Sequence, residues 1–164
     1  MNKVTAVNSI VIDVHREAVW NFTQDWRKRT RWDRSVLAAE YISESPVTVH
    51  VTGAGGLRFK VTYKTSDPPR LTTLVMSELN SFWIKGGGGS WKYEELNGST
   101  RWTQHNTLIL RGGFFGMLFR PLFAWTLTRM TRRMMARAKV ILENQDASFS
   151  SVGTGSGNKK PDRP

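Results

Sequence analysis

The chain has 164 residues, enough for one domain with its own core, and no internal repeat is visible. Cysteine is absent, which excludes disulfides, thiolate catalysis and cysteine-ligated metals. A formal charge of +11 implies attraction to anionic lipid, nucleic acid or acidic proteins, although a solvated, solubilising surface is the plainer reading of the same charge.

The N-terminus has no charged segment leading into an apolar run and a cleavage site, so no signal peptide is expected. Residues 4–14, rich in Val and Ile, predict a first strand. Val19, Phe22 and Trp26 then fall at i, i+3 and i+7, one face of a short helix. A second short helix or turn is expected over residues 26–34. Strands follow at 36–44, 47–53 and 57–66, with Pro46 and the Gly53–Gly56 run as hairpin punctuation. Pro68 and Pro69 break the chain before a strand at 71–79. Further strands at 88–96 and 99–111 meet at Asn97-Gly98, a strong short-range hairpin signal. The run Gly86–Gly89 reads as a bend or bulge between strands.

From Phe114 the period changes. Leu127, Met130, Met134, Ala138 and Ile141 recur at steps of three and four, a helical stripe reaching Glu143. Pro121 either opens this helix or kinks it. The apolar run at 113–127 is shorter than the roughly 20 residues a membrane-spanning helix needs, and Arg120 and Pro121 interrupt it. A soluble, cytoplasmic protein is expected, with one domain over residues 1–144. Residues 145–164, rich in Ser, Gly, Lys and Pro, are expected to be a disordered tail.

The order is strand, two short helices, six-stranded meander, long C-terminal helix. Together with Ser9–Asp13, Val19–Phe22, Asp25, Trp32-Asp33, Gly89–Glu94 and Gly98–Thr103, it resembles the helix-grip fold. More closely it is similar to the START-like, polyketide cyclase/dehydrase group that includes the birch-pollen-allergen-like proteins. The resemblance spans residues 4–143. It implies an α+β protein in which a curved antiparallel sheet of about seven strands wraps a long helix around an apolar cup. That architecture hosts carriers and cyclases alike, so it carries no function by itself.

Strand alternation selects the side chains that face into such a cup. They are Phe59, Val61 and Tyr63 on one strand, Trp91 and Tyr93 on another, and Trp102, Gln104 and Asn106 on the last; the helix adds Phe123, Leu127 and Met130. Aromatics and flexible methionines suit a hydrophobic, adaptable pocket, and a fully packed core is the competing reading for each residue. Gln104 and Asn106 are the sharper signal. Inward amides cost of order 1–3 kcal/mol each unless they pair with one another, with water or backbone, or with a ligand's polar end.

Catalysis has less support. His15, His50 and His105 do not converge, and no metal spacing, Ser-His-Asp arrangement or phosphate-binding loop occurs, so no cofactor is expected. Hydrogen-bonding catalysis of the cyclase kind stays as the alternative to a carrier of apolar small molecules or lipids. A third reading uses the basic clusters. Arg27, Lys28, Arg29, Arg31, Arg132 and Arg133 are candidates for contact with an anionic membrane, and Phe114–Phe119 for insertion at its interface or for closing the cup. Nucleic acid is the weaker partner because no recognition motif accompanies the charge.

Overall fold

The computed structural model describes residues 2–113 and 117–153. Strand β1 (Lys3–Ile12) leads through α1 (Arg16–Gln24) and a single 3₁₀ turn, Trp26–Lys28, into the four-residue α2 (Arg29–Trp32). A meander follows: β2 (Val36–Glu44), β3 (Val47–Gly53), β4 (Arg58–Asp67), β5 (Leu71–Ser77), β6 (Ile84–Leu96) and β7 (Ser99–Leu110). The long α3 covers Arg120–Gly153. One antiparallel sheet has the order β1-β7-β6-β5-β4-β3-β2. Sequential hairpins build most of it, and β1 returns to pair with β7 from Lys3↔Ile109 to Ile12↔Thr100. This is the helix-grip architecture that the resemblance implied.

Local chemistry accounts for the turns. Asn97 and Gly98 both adopt positive φ (47° and 94°), as a two-residue hairpin matching the sheet's twist requires. Pro121 sits in the first turn of α3, where its missing N–H has no intrahelical partner to lose. The helix runs past Glu143, where the apolar stripe stops, to Gly153. No Pro or Gly intervenes over that stretch, so its composition does not break the helix. The helix therefore extends over residues 145–153 of the segment expected to be disordered, and the part at 154–164 lies outside the described residues. Phe114 and Phe115 lie outside them as well.

Glycines 86–89 depart in part from expectation. A register shift between Ile84 and Gly86 supplies the bulge, but Gly86–Gly89 then continue as paired strand, with Gly87–Gly89 hydrogen-bonded between β5 and β7. Strand β6 thus begins four residues before the predicted 88.

α3 lies across β1 and is fastened there by polar contacts. Arg132 Nε donates to Asn8 Oδ1 (3.1 Å), Lys139 Nζ to the Val11 carbonyl (2.7 Å), and the Asp13 amide to Glu143 Oε1 (2.8 Å). Its inward face carries Leu127, Thr131, Met134, Met135, Ala138 and Leu142, all buried. The predicted stripe missed Met135 and Leu142, and its Met130 is half exposed.

Candidate functional site

The inward face of β6 changes character halfway along. Trp91 and Tyr93 point into the cup opposite Gln104 and Trp102 of β7. The two preceding positions on that face are Gly87 and Gly89, opposite Leu108 and Asn106. Where the aromatics stand, the interior is solid. Trp32 meets Trp91 and Trp102 edge-on (centroids 6.4 and 5.6 Å), and Tyr93 stacks on Trp102 at 6.0 Å. Beside the glycines a cavity of about 150 Å³ opens.

The sheet supplies Phe59, Val61, Leu74, Met76 and Leu108 to the cavity wall, and Gly88 contributes bare backbone. The helix adds Leu127, Met130, Thr131 and Met134. Neighbouring groups already lean over the glycines. A Cβ on Gly89 would lie 2.6 Å from the His105 carbonyl and 2.8 Å from Asn106 Oδ1, so only glycine allows that approach.

A polar group enters the wall from α2 and the residues that follow it. Arg29 Nε donates to Asp33 Oδ2 at 2.9 Å, and both side chains are buried. The Ser35 amide and hydroxyl donate to Asp33 Oδ1 at 3.0 and 2.5 Å. The guanidinium sits over three indoles, with Cζ 4.2 Å from the Trp32 ring centroid, 4.5 Å from Trp91 and 4.9 Å from Trp26. Desolvated cation–π contacts of this kind are worth up to about 2 kcal/mol or more. Arg29 Nη1 is nevertheless buried with no hydrogen-bond acceptor.

This corrects the placement of Arg29 among the membrane-facing cations. Trp26, Arg29, Trp32 and Asp33 fall at i, i+3, i+6 and i+7, all inward, whereas Arg27 and Arg31 are exposed. That spacing, with an Arg–Asp pair at i, i+4, was the available signal. A four-residue helix is too short for periodicity to bring it out.

The two inward amides bind each other. Asn106 Nδ2 donates to Gln104 Oε1 (2.9 Å) and to Thr131 Oγ1 of α3 (3.2 Å), while Trp91 Nε1 approaches Asn106 Oδ1 at 3.4 Å. Gln104 Nε2 and the indole N–H groups of Trp32 and Trp102 lack partners. Every one of these unmatched groups is a donor, and so is Arg29 Nη1. The interior is short of acceptors.

Tyr63 and Tyr93 stand apart from the cavity. Gln24 bridges them, accepting from the Tyr63 hydroxyl at 2.9 Å and donating to the Tyr93 hydroxyl at 2.7 Å; Trp26 Nε1 and Thr23 Oγ1 complete the chain. Burial pushes the Tyr63 hydroxyl up to about 12 and raises that of Tyr93 as well, so both remain protonated at neutral pH. Of the other sequence-predicted site residues, Phe59, Val61, Trp91, Asn106, Leu127 and Met130 meet in the cavity wall. Trp102 and Gln104 lie directly behind it, against Trp91 and Asn106. Phe123 packs into a separate cluster with Val4, Leu110 and Leu127. The three histidines are exposed and lie on separate elements, His15 just before α1, His50 on β3 and His105 on β7. Among the described residues no group of three His, Asp or Glu side chains is arranged to hold a metal ion.

Met130 and Met134 also border an outer groove with Arg34, Arg133 and Arg137. The cavity therefore adjoins a basic outer groove across two flexible side chains.

Comparison with known proteins agrees with this architecture. The family model described as polyketide cyclase / dehydrase and lipid transport matches residues 3–143. The aromatase/cyclase Zhui from Streptomyces sp. R1128 is similar over 95% of this chain and 99% of its own, at 13% identity and a TM-score of 0.76. A protein from Thermus thermophilus is similar over 84% of this chain and 96% of its own (16% identity, TM-score 0.72). Ara h 8.0201 is similar over 85% and 97% respectively (10% identity, TM-score 0.65). At these identities the likeness is one of fold. A search of curated proteins gives no match. The chain belongs to the polyketide cyclase/dehydrase and lipid transport family.

Proposed function

We propose that this family member holds a hydrophobic small molecule in the cavity under α3, with an oxygen of the ligand accepting from Arg29. The observation that carries this reading is the partnerless Nη1 of Arg29 in a wall that is otherwise largely apolar. A buried donor without an acceptor costs about 1–3 kcal/mol, more when charged, and a ligand carbonyl or ether oxygen would recover it. A volume near 150 Å³ suits one aromatic ring. Larger ligands would enter as Met130 and Met134 change rotamer.

A carrier role fits better than turnover. The one carboxylate in the wall, Asp33, already accepts three hydrogen bonds, and the buried phenols stay protonated. The second reading, a cyclase or dehydrase, draws on the same guanidinium, which would polarise a ligand carbonyl. The aromatase/cyclase fold neighbours make ring-forming polyketide substrates its first class to assay.

Native mass spectrometry of freshly purified protein, with extraction of the released compound, is the direct test. The compound should be apolar, carry oxygen, and be absent from Leu74→Trp, which fills the cavity. Incubation with that compound separates carriage from turnover. Titration with acetophenone and with its shape-matched hydrocarbon, α-methylstyrene, tests the acceptor. The ketone should bind about tenfold tighter or more. Equal affinities would remove Arg29 from the argument, and unchanged binding by Leu74→Trp would remove the cavity.

A further inference from the structure

Two segments distant in sequence meet at one end of the molecule and leave large apolar side chains in solvent. Phe82 and Trp83, in the connection between β5 and β6, are 78% and 45% exposed. The Trp83 ring meets Phe119 edge-on at 5.8 Å, which joins this loop to the start of α3. Arg111 fixes the loop from behind, its amide donating to the Trp83 carbonyl (2.9 Å) and its Nε to the Ser81 carbonyl (3.2 Å).

The patch continues along the helix. Leu118, Leu122, Trp125, Arg129 and Arg132 follow at steps of three and four, the outer face opposite the buried Leu127 and Met134. Leu118, Leu122 and Trp125 are each more than half exposed, and Arg129 lies over the Trp125 ring at 5.3 Å. One helical face therefore grades from apolar to cationic. A contiguous exposed patch of this kind on a single chain marks a surface that something covers.

The charge pattern selects the cover. Every charge on the chain between Glu95 and Glu143 is positive. A second copy docking face to face would set arginines against arginines with no carboxylate between them. A nucleic acid would leave Leu118 and Leu122 unused, since aliphatic side chains offer no ring for base stacking. An anionic bilayer uses both halves: Trp and Phe settle at the headgroup boundary, leucines enter the acyl edge, and arginines pair with headgroups.

The geometry points to peripheral docking of this end of the molecule on an anionic membrane, through the Phe82–Trp83 loop and the Leu118–Leu122–Trp125–Arg129 face. The helical face leads on to Arg133, which borders the outer groove beside the cavity. Docking stands on the exposed patch alone and does not depend on what the cavity holds.

Co-sedimentation of the full chain tests this with vesicles of phosphatidylcholine, alone and mixed with phosphatidylglycerol. Binding should occur on the mixed vesicles only and weaken steeply with salt. The double variant Leu118→Glu/Trp125→Glu should lower affinity at least about tenfold. Leu37→Glu, equally exposed but on β2, should leave it unchanged. Arg129→Gln/Arg133→Gln, which leaves every apolar side chain of the patch in place, provides a second arm should the first double variant fold poorly, and it too should weaken binding. Three results would each overturn the proposal: no binding by the wild-type chain, equal binding to neutral vesicles, or wild-type binding by both double variants. Self-association or RNA binding abolished by the same variants, without vesicle binding, would reassign the face and equally overturn it.

Discussion

The two ends of the cup are made by the same strands and differ in what those strands project inward. At one end β6 and β7 offer Trp91, Tyr93, Trp102 and Gln104, and α2 adds Trp32, so the interior fills with rings. Two residues back along β6 the same face offers Gly87 and Gly89, and a cavity opens beside Gly88, Asn106 and Leu108. Packing density normally makes an interior uniform. Here the backbone continues through the change with its pairing intact, so stability is concentrated where the rings meet and the space where they are missing. The buried Arg29–Asp33 pair sits on the boundary, caged by the filled end and turned toward the empty one.

If the filled end carries the stability, Trp102→Ala should show the largest loss, about 3–5 kcal/mol by urea unfolding. A loss under about 1 kcal/mol would mean that the rings are not what holds the sheet to α3. Arg29→Met should be nearly as damaging, again about 3–5 kcal/mol, because it strands the Asp33 carboxylate in a buried site. Adding Asp33→Leu should restore most of that stability while leaving acetophenone binding weak, which would separate the pair's role from the fold's. A double variant as unstable as the single would instead make the ion pair part of the scaffold.

The hollow end should resist filling from one side and accept it from another. Gly89→Ala drives a Cβ against the His105 carbonyl and should cost about 1–3 kcal/mol. Leu74→Trp grows into empty space and should stay within about 1.5 kcal/mol of wild type by the same unfolding measurement. If Gly89→Ala were neutral, the close approach of β6 to β7 would not be what shapes the cavity.

The smallest effect expected is at the far end of α3. Partial burial alone would raise the Glu143 carboxyl, but the Asp13 amide and the Lys139 ammonium outweigh it and hold it below the ordinary range. A depressed folded-state value contributes stability that is complete above the unfolded value near pH 4.5 and lost as pH falls through the folded one. Glu143→Gln should therefore destabilise by under about 1 kcal/mol at neutral pH and not at all in strong acid. A variant whose deficit persisted in strong acid would show that the contact works by shape rather than charge.

Much of the fold was legible because strand alternation and turn residues act locally. Val47–Gly53 and Val36–Glu44 begin and end where predicted, and Asn97-Gly98 makes the hairpin its backbone preferences require. The inward faces followed from the same alternation, and Phe59, Val61, Trp91 and Asn106 accordingly meet in the cavity wall. An apolar cup was expected from the resemblance, but where in it the space lies was not legible. A glycine run reads as a bend or bulge, and what stands beside it on β5 and β7 depends on register, a long-range property. Arg29 was missed for a related reason, since a charged residue in a four-residue helix carries no periodic signal and its burial is decided by three indoles, one of them far away in the chain.

The pairing of β1 with β7 also orders events during synthesis. Lys3 lies against Ile109, so the first strand made is among the last to find its partner. The hairpins from β2 to β6 need only near neighbours and can form as they leave the ribosome, whereas β1 must wait, unpaired, until nearly the whole sheet has emerged. Its inward residues Val4, Ala6 and Ile12 remain uncovered for that interval. The sheet can therefore close, and α3 take its seat across β1, only after β7 and α3 have both been made.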